Sequence, residues 1–281
     1  MIPKKIFFYW SGNDLSWMRY MTLYSFKKLN PNWDITLYLA NNTTTTSWVG
    51  TEKQDYMLYK GANYLNKVEQ LDINIINIDF KDYKELENMN PVHQSDMFRY
   101  LKLSEVGGLY CDMDVLFFRP IDDYYERIKR NDVLFHQCFK FITIGFLGSD
   151  NDNTFYKDIY DHGLKLKENS NYQSYGVDLI YSLFNGNRHK NYFIFNTIQE
   201  TYEDLNIVNL RDSIIYKYDW TQIEFNFSNN IGISGFDENS IGYHWFGGSP
   251  ISQQYNNIMT EENYMNHKTT FSELLKKSNI L

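Results

Sequence analysis

Cysteine is nearly absent from this chain. Two occur in 281 residues, Cys111 and Cys138, and neither has the C-x-x-C spacing of a metal or redox site. A disulfide scaffold and a thiolate zinc centre are thereby excluded, and a reducing compartment is expected. Long apolar runs are missing too. The opening stretch from Ile6 to Trp10 is too short and too aromatic for a signal sequence and far short of a membrane span, so the chain reads as cytoplasmic, with no transmembrane segment. Positive charge is scarce: a net charge of -8 and a pI near 5.3 leave no long-range attraction for nucleic acid or an anionic bilayer, and the Lys4-Lys5 pair does not alter that. Repeats and Pro-, Gly- or Ser-rich linkers are also lacking, so one domain over residues 1–281 is expected.

What is present is a globular composition, 43% hydrophobic and 22% charged, with material for a sizeable core. Aromatic residues reach 18%, including 24 tyrosines; such rings serve sugar or base stacking, but equally pack in a core with the hydroxyl at the surface. Ile6 to Trp10 reads as a buried strand closed by Ser11-Gly12-Asn13-Asp14. A helix starts near Ser16, carries Met18, Met21, Leu23, Phe26 and Leu29 at near-helical spacing, and stops at Asn30-Pro31-Asn32 before a strand from Trp33 to Leu39. After the polar loop Asn41 to Thr46, the pattern predicts a helix from Lys53 to Glu69 and a β-branched strand from Ile73 to Phe80. Asn90-Pro91 and Gly107-Gly108 bound another helix, and Leu109 to Phe118 reads as the next strand. Shorter elements follow: strands at Val133 to His136 and Ile142 to Leu147, helices near Thr154 to Lys167 and Val177 to Phe184, Asn-rich loops at 169–171 and 185–191, and a final helix from Thr260 to Leu281. This alternation implies an α/β fold with a largely parallel sheet.

The chemistry concentrates in Leu109-Tyr110-Cys111-Asp112-Met113-Asp114-Val115. On a continuous strand, period-two alternation puts Tyr110, Asp112 and Asp114 on one face. Two carboxylates that close repel and are costly to desolvate unless a cation, a shared proton or basic neighbours hold them. Oxygen ligands suit Mg2+ or Mn2+, which take one or two carboxylates and complete their shell with water and substrate phosphates. A diphosphate is the natural partner. An isolated D-x-D is equally two solvated acids at a strand end. One helix upstream, however, Asp96 and Arg99 are three residues apart and share a helical face, on a helix that feeds straight into this strand. An acid and a fork-shaped cation are thus aimed near the carboxylate pair; a surface salt bridge, worth little, is the bland alternative.

Ser95-Asp96-Met97-Phe98-Arg99-Tyr100, followed by Gly107-Gly108-Leu109-Tyr110-Cys111-Asp112-Met113-Asp114-Val115, resembles the glycosyltransferase family named for its DXD-containing sugar-binding region. That family includes yeast Golgi mannosyltransferases, bacterial capsular transferases and, more distantly, the clostridial glucosylating toxins. The opening from Ile2 to Gly12 is similar to the family's first strand. The resemblance implies an α/β fold of GT-A type, a Rossmann-like mixed sheet flanked by helices. Residues 1–120 would form the nucleotide-sugar-binding half, and 121–281 the acceptor-side half with a closing segment. It further implies a retaining hexosyltransferase that uses Mn2+ (or Mg2+) to move a hexose from a nucleotide sugar, foremost a UDP-sugar, to a hydroxyl of a glycan or protein acceptor.

Residue by residue, the resemblance implies that Tyr9 and Trp10 bind the donor, Trp10 by stacking on the base, and that Asp96 and Arg99 hold the donor sugar's hydroxyls. Asp112 would contact ribose or sugar and reach the metal through water, and Asp114 would ligate the metal directly; Asp112, Asp114 and Arg99 are the implied catalytic residues. Tyr243-His244-Trp245-Phe246-Gly247-Gly248-Ser249 resembles the family's closing segment over the diphosphate, which adds His244 as a third metal ligand and Ser249 as a donor contact. A histidine among aromatics is as readily a packed one, and Trp245 and Trp220 are readable as core or as a lid. Between Lys140 and Asp178 the chain departs from the family. Ile142-Thr143-Ile144-Gly145-Phe146 lacks the Asn usual before the small residue, and Tyr175-Gly176-Val177-Asp178 stands where Gly-Pro is common. These segments flank the acceptor, whose identity is left open.

In this reading metal and basic groups neutralise the departing nucleoside diphosphate by fixed electrostatics. Two other readings stand beside it. A haloacid-dehalogenase-type phosphatase would use the D-x-D as nucleophile and acid, although there the motif ends the first strand of the domain. A non-catalytic sugar-binding module is compatible with the aromatic content.

Overall fold

A computed structural model of the chain describes residues 1–40, 59–138, 141–166, 171–186, 193–278 and 280–281. The loop expected at Asn41 to Thr46 lies outside them. In chain order the elements are β1 (Lys5–Ser11), α1 (Trp17–Leu29), β2 (Asp34–Ala40), α2 (Leu65–Val68), β3 (Asn74–Ile78), α3 (Pro91–Val106), β4 (Gly108–Cys111), β5 (Val115–Phe117), α4 (Asp122–Ile128), β6 (Val133–Phe135) and β7 (Phe146–Ser149). They continue with α5 (Phe155–Gly163), α6 (Val177–Leu183), α7 (Phe195–Thr201), β8 (Ile207–Asn209), α8 (Ile223–Ser228), β9 (Gly242–His244), α9 (Pro250–Ile258) and α10 (Thr270–Ser278).

Among the described residues, seven strands form one sheet in the order β3-β2-β1-β4-β7-β6-β8. The first four run parallel, β7 is antiparallel to both β4 and β6, and β8 is parallel to β6. The α/β class and the Rossmann-like mixed sheet flanked by helices are as expected. Both faces are covered, so the inner strands are apolar on both sides. Ile6, Phe8, Leu109 and Cys111 pack into one core with Trp17, Met18 and Phe26 of α1. Phe7, Tyr9 and Tyr110 pack into the other with Met97, Phe98 and Tyr100 of α3.

The ends of α3 follow the sequence signals. The Asn90 side chain accepts the Val92 N–H with Pro91 at the first turn, and Gly107 and Gly108 adopt φ of +61° and +92°. A Cβ at either would meet backbone oxygen at 2.8 Å, that of Ser149 or Lys5, so only glycine lets α3 drop into a strand squeezed between β1 and β7. With β2 on one side of β1 and β4 on the other, the strand order reverses at β1 and β4. In open α/β sheets the crevice at the carboxyl ends of such strands is the ligand-binding position. Here those ends are Trp10-Ser11 and Asp112.

The structure corrects several expected elements. The strand expected from Leu109 to Phe118 divides in two. Pairing of β4 with β7 stops at Cys111 opposite Phe146, the Asp112 N–H closes the ladder on the Gly145 carbonyl at 2.8 Å, and β5 joins β9 in a separate antiparallel pair. Asp112 and Asp114 therefore sit in a turn between two strands, and strand alternation is not what brings them together. The break keeps two adjacent acids out of the apolar layers that sandwich the sheet. Among the described residues of the helix expected from Lys53 to Glu69, only Leu65–Val68 is helical, because the segment before it is tied to the β1–α1 loop: Tyr64 donates to the Leu15 carbonyl and Asn63 accepts the Leu15 N–H. The strand expected from Ile142 forms at Phe146–Ser149, leaving Ile142 in an isolated bridge with Gln137. The last helix starts at Thr270, since Thr260 to Asn263 folds into a turn in which the Asn263 side chain accepts the Thr260 N–H. No helix among the described residues is long and apolar enough to cross a membrane.

Candidate active site

Asp96 and Arg99 project from one face of α3 toward the end of β4, as their spacing implies. Arg99 Nη2 lies 2.8 Å from Asp96 Oδ1, and Nη1 lies 3.3 Å from Asp112 Oδ1 and donates to the Ile144 carbonyl at 2.9 Å. The guanidinium also stacks over the Tyr110 ring, 4.7 Å away. Tyr110 in turn donates its hydroxyl to Asp112 Oδ1 at 2.6 Å. Arg99 and Asp96 are almost wholly buried, so this is no surface salt bridge. Burial pushes the Asp96 carboxyl above its ordinary range, with Arg99 opposing. Gly145 is required beside this corner: a Cβ there would stand 2.6 Å from Asp112 Oδ2. Gly176, in the segment that departs from the family pattern, closes on Asp96 in the same manner, at 3.0 Å.

The second corner is built by the β5–β9 pair, which sets Val115 opposite His244. His244 Nε2 comes within 3.2 Å of Asp114 Oδ1, and Asp114 Oδ2 accepts the Gly247 N–H at 2.6 Å. The contact with His244 Nε2 is ionic without hydrogen-bond geometry and leaves the buried Asp114 Oδ1 with no hydrogen-bond partner; on the other side of the ring His244 Nδ1 is also buried with none. Burial disfavours both charges, yet their mutual attraction, with Arg19 and the Gly247 N–H acting on Asp114, holds that carboxyl well below its usual range; Asp114 and then Asp112 hold the imidazole above its own. One ligand atom each from Asp112, Asp114 and His244 falls within 4.8 Å of the others. The donor set of oxygens and one imidazole, with a buried carboxylate oxygen unsatisfied, fits a small divalent cation.

Residues 16–140 match the family model described as "Glycosyltransferase sugar-binding region containing DXD motif". That segment is similar to a DXD sugar-binding region. No curated protein sequence matches the chain. Solved structures similar to it include the UDP-bound glycosyltransferase domain from the YGT toxin, 11% identical over 74% of this chain and 79% of that one, with a TM-score of 0.42. Mouse xyloside xylosyltransferase 1 in its apo form is 9% identical over 88% and 98%, with a TM-score of 0.46. The glycosyltransferase GlyE of Streptococcus pneumoniae TIGR4 is 12% identical over 100% and 64%, with a TM-score of 0.43.

The matched segment contains Asp96, Arg99, Asp112 and Asp114, while Tyr9, Trp10, His244 and Ser249 lie outside it. Trp10, half-buried at the end of β1, donates its indole N–H to the Asp14 carbonyl at 3.1 Å. Tyr9 points to the opposite core, its ring against Phe80 and Phe98; its buried hydroxyl has no well-formed hydrogen bond and lies near Ser11 and Arg99. Ser249 caps α9, its Oγ accepting the Ser252 N–H and donating to Ser252 Oγ. Trp245 is fully buried and Trp220 is 61% exposed, so the first is core and the second is not.

Residues that sequence reasoning missed complete the surroundings of the two aspartates. Arg19, on α1, lies over the Trp10 ring at 4.7 Å and the Trp245 ring at 5.3 Å, and its charge acts on Asp114. A Cβ at Gly247 would collide with Arg19 Nη2 at 2.7 Å. A cation on the inner, Met-rich face of α1 was a usable signal, since such a charge needs partners. His136 and Tyr216 had no local signal at all.

Proposed function

We propose that the chain is a retaining glycosyltransferase of GT-A type, one domain over residues 1–281, that moves a hexose from a nucleotide sugar, foremost a UDP-sugar, to an acceptor hydroxyl with Mn2+ (or Mg2+) bound. The observation that carries this reading is the Asp112, Asp114 and His244 cluster at the strand-order reversal, with its unsatisfied buried carboxylate oxygen. Leaving a buried polar atom unpaired costs about 1–3 kcal/mol, and Asp112, Asp114 and His244 would recover that cost by holding the cation. The bound ion would supply charge neutralisation to the departing diphosphate. Asp114 favours the protonated imidazole, so the cation would compete with a proton at His244 and its affinity would rise with pH.

The remaining roles belong to the chain's own groups. Asp96 and Arg99 hold the donor sugar's hydroxyls; Arg99 is already pinned by the Ile144 carbonyl and Asp96, so little reorganisation accompanies the reaction. Trp10 offers a face for the base, Tyr9 and Ser249 flank the donor, and Arg19 adds positive charge for the phosphates. A glycan or protein acceptor enters beside the segments around Gly145 and Gly176. Both cysteines carry free thiols, which suits the cytoplasm.

The test is nucleotide release from UDP-glucose, UDP-galactose, UDP-N-acetylglucosamine and GDP-mannose, with Mn2+ and with excess chelator. Release from at least one donor, lost with chelator, is expected; no metal-dependent release from any would sink the reading. The anomeric configuration of the product by NMR tests retention separately.

A further inference from the structure

Tyr216 has no part in the donor chemistry above, yet its hydroxyl stands beside the D-x-D. The residue is buried and firmly held. Its ring stacks on His136, centroids 4.7 Å apart and 26° from parallel, and packs against His244 at 5.2 Å. His136, just beyond β6, is itself fixed, with Asp212 Oδ1 2.9 Å from its Nε2 and Thr143 Oγ1 2.6 Å from its Nδ1. The backbone is tied as well. The Tyr216 N–H donates to the Asp212 carbonyl at 2.7 Å, and the Ile215 carbonyl accepts the His244 N–H at 3.2 Å. Tyr216 is thereby fastened to the strand that supplies His244.

The hydroxyl at the end of this ring is buried and makes no well-formed hydrogen bond, although Thr143 is a neighbour. Burial pushes its pKa well above the ordinary phenol value, so it keeps its hydrogen. It faces Asp112. A Cβ at Gly145 would lie 2.6 Å from Asp112 Oδ2 and 3.1 Å from the Tyr216 hydroxyl, so both oxygens border the space that any larger residue would fill. The two oxygens of Asp112 differ in their company. Oδ1 accepts the Tyr110 hydroxyl at 2.6 Å and lies 3.3 Å from Arg99 Nη1, whereas among the described residues no hydrogen bond reaches Oδ2. Each carboxylate oxygen offers about two lone-pair sites. Oδ2 therefore has room for a cation on one and a phenol on the other.

We propose that Tyr216 is a positioning residue of the cation site, its hydroxyl donating to Asp112 Oδ2 and fixing the carboxylate that Tyr110 and Arg99 hold from the other side. The inference rests on the metal reading above. A cation shared by Asp112, Asp114 and His244 would draw Asp112 off Arg99 toward His244, which is the side on which Tyr216 packs. Leaving a buried hydroxyl unpaired is costly, and its pairing with Asp112 returns that cost as ion affinity. Hydrogen bonds of this kind, made to a ligand rather than to the ion, are worth about 10–100-fold in metal affinity.

Tyr216→Phe keeps both ring contacts and removes the hydroxyl. In excess chelator its melting temperature is expected to equal or exceed that of the wild type, since no hydrogen bond is lost, whereas Tyr110→Phe, which loses the bond to Asp112 Oδ1, melts lower. Calorimetry with Mn2+, alone and with UDP, is expected to show binding about 10–100-fold weaker in Tyr216→Phe, and the Mn2+ concentration for half-maximal nucleotide release from the donors tested above rises by a similar factor. Mn2+ affinity equal to that of the wild type overturns the proposal; a lowered melting temperature beside it would make Thr143 the partner and the hydroxyl part of the packing. A wild-type protein that binds no Mn2+ under either condition overturns the metal reading and this inference with it.

Discussion

His136 and His244 both pack against Tyr216, with ring centroids 4.7 and 5.2 Å from it, and each has a carboxylate within reach, at 2.9 and 3.2 Å. Burial disfavours the cation at both. Yet His136 is held below its ordinary pKa and His244 above its own. Much of the difference lies in the partner, since the Asp212 side chain is 58% exposed and Asp114 only 13%; Asp112 adds to the attraction at His244, and His244 itself repels a charge on His136. A carboxylate in water has its field screened, so the cost of burying the imidazolium wins at His136; one removed from water acts through a low dielectric, so attraction wins at His244. Neighbouring groups whose environments drive their protonation apart are how a site obtains an acid and a base at one pH.

The comparison breaks most readily at Asp114. Asp114→Asn removes the charge that raises the His244 pKa and one of the oxygens offered to the cation; Mn2+-dependent nucleotide release should fall by about 10³-fold, and wild-type release would take the His244 corner out of the site. The wall between the two histidines is the next target. Gly145→Ala drives a methyl group into Asp112 Oδ2 and toward the Tyr216 hydroxyl, and a displacement of that kind should cost about 10²-fold in turnover with little change in melting temperature.

Arg19→Ala removes the cation that acts on Asp114 and lies over both Trp10 and Trp245. Losing those contacts should destabilise the fold by about 1–2 kcal/mol in urea titrations and weaken UDP binding. An unchanged urea midpoint would mean that Arg19 contributes no packing there.

The smallest effect concerns pH. His136 has a folded pKa below its ordinary value of 6.5, so as pH falls through that value the unfolded chain takes up the proton first and stability declines. His244 has the opposite sign: its stabilising pairing is complete below 6.5 and is lost as pH rises through its raised folded pKa. The slopes overlap, so the informative measurement is wild type minus His136→Gln in denaturation series across acidic pH. The variant should lose less stability on acidification, and parallel curves would show that burial does not lower the His136 pKa.

Local signals carried the first half of the molecule. Asn90-Pro91 and Gly107-Gly108 marked both ends of α3, and the i,i+3 spacing of Asp96 and Arg99 put them on one face, because helix caps and helix periodicity are short-range properties. The D-x-D was found for a reason that did not survive: alternation along one strand assigned the acids a common face, whereas β7 ends the pairing at Cys111 and the acids occupy the turn beyond it. Tertiary contacts also override the expected helix before Glu69, where side chains near Leu15 claim the backbone that a helix would have used.

The sequence by itself determined the alternating α/β order and the approach of the Asp96 and Arg99 face toward the D-x-D, since each follows from neighbours in the chain. Only the tertiary structure decided which groups surround the two aspartates. His244 reaches Asp114 through the pairing of β5 with β9, Arg19 through the packing of α1 beneath Trp10, and the pairing of His136 with Thr143 and Asp212 through contacts spanning 7 and 76 residues. Whether a buried histidine carries a proton depends on how much water its carboxylate sees, and no sequence spacing encodes that.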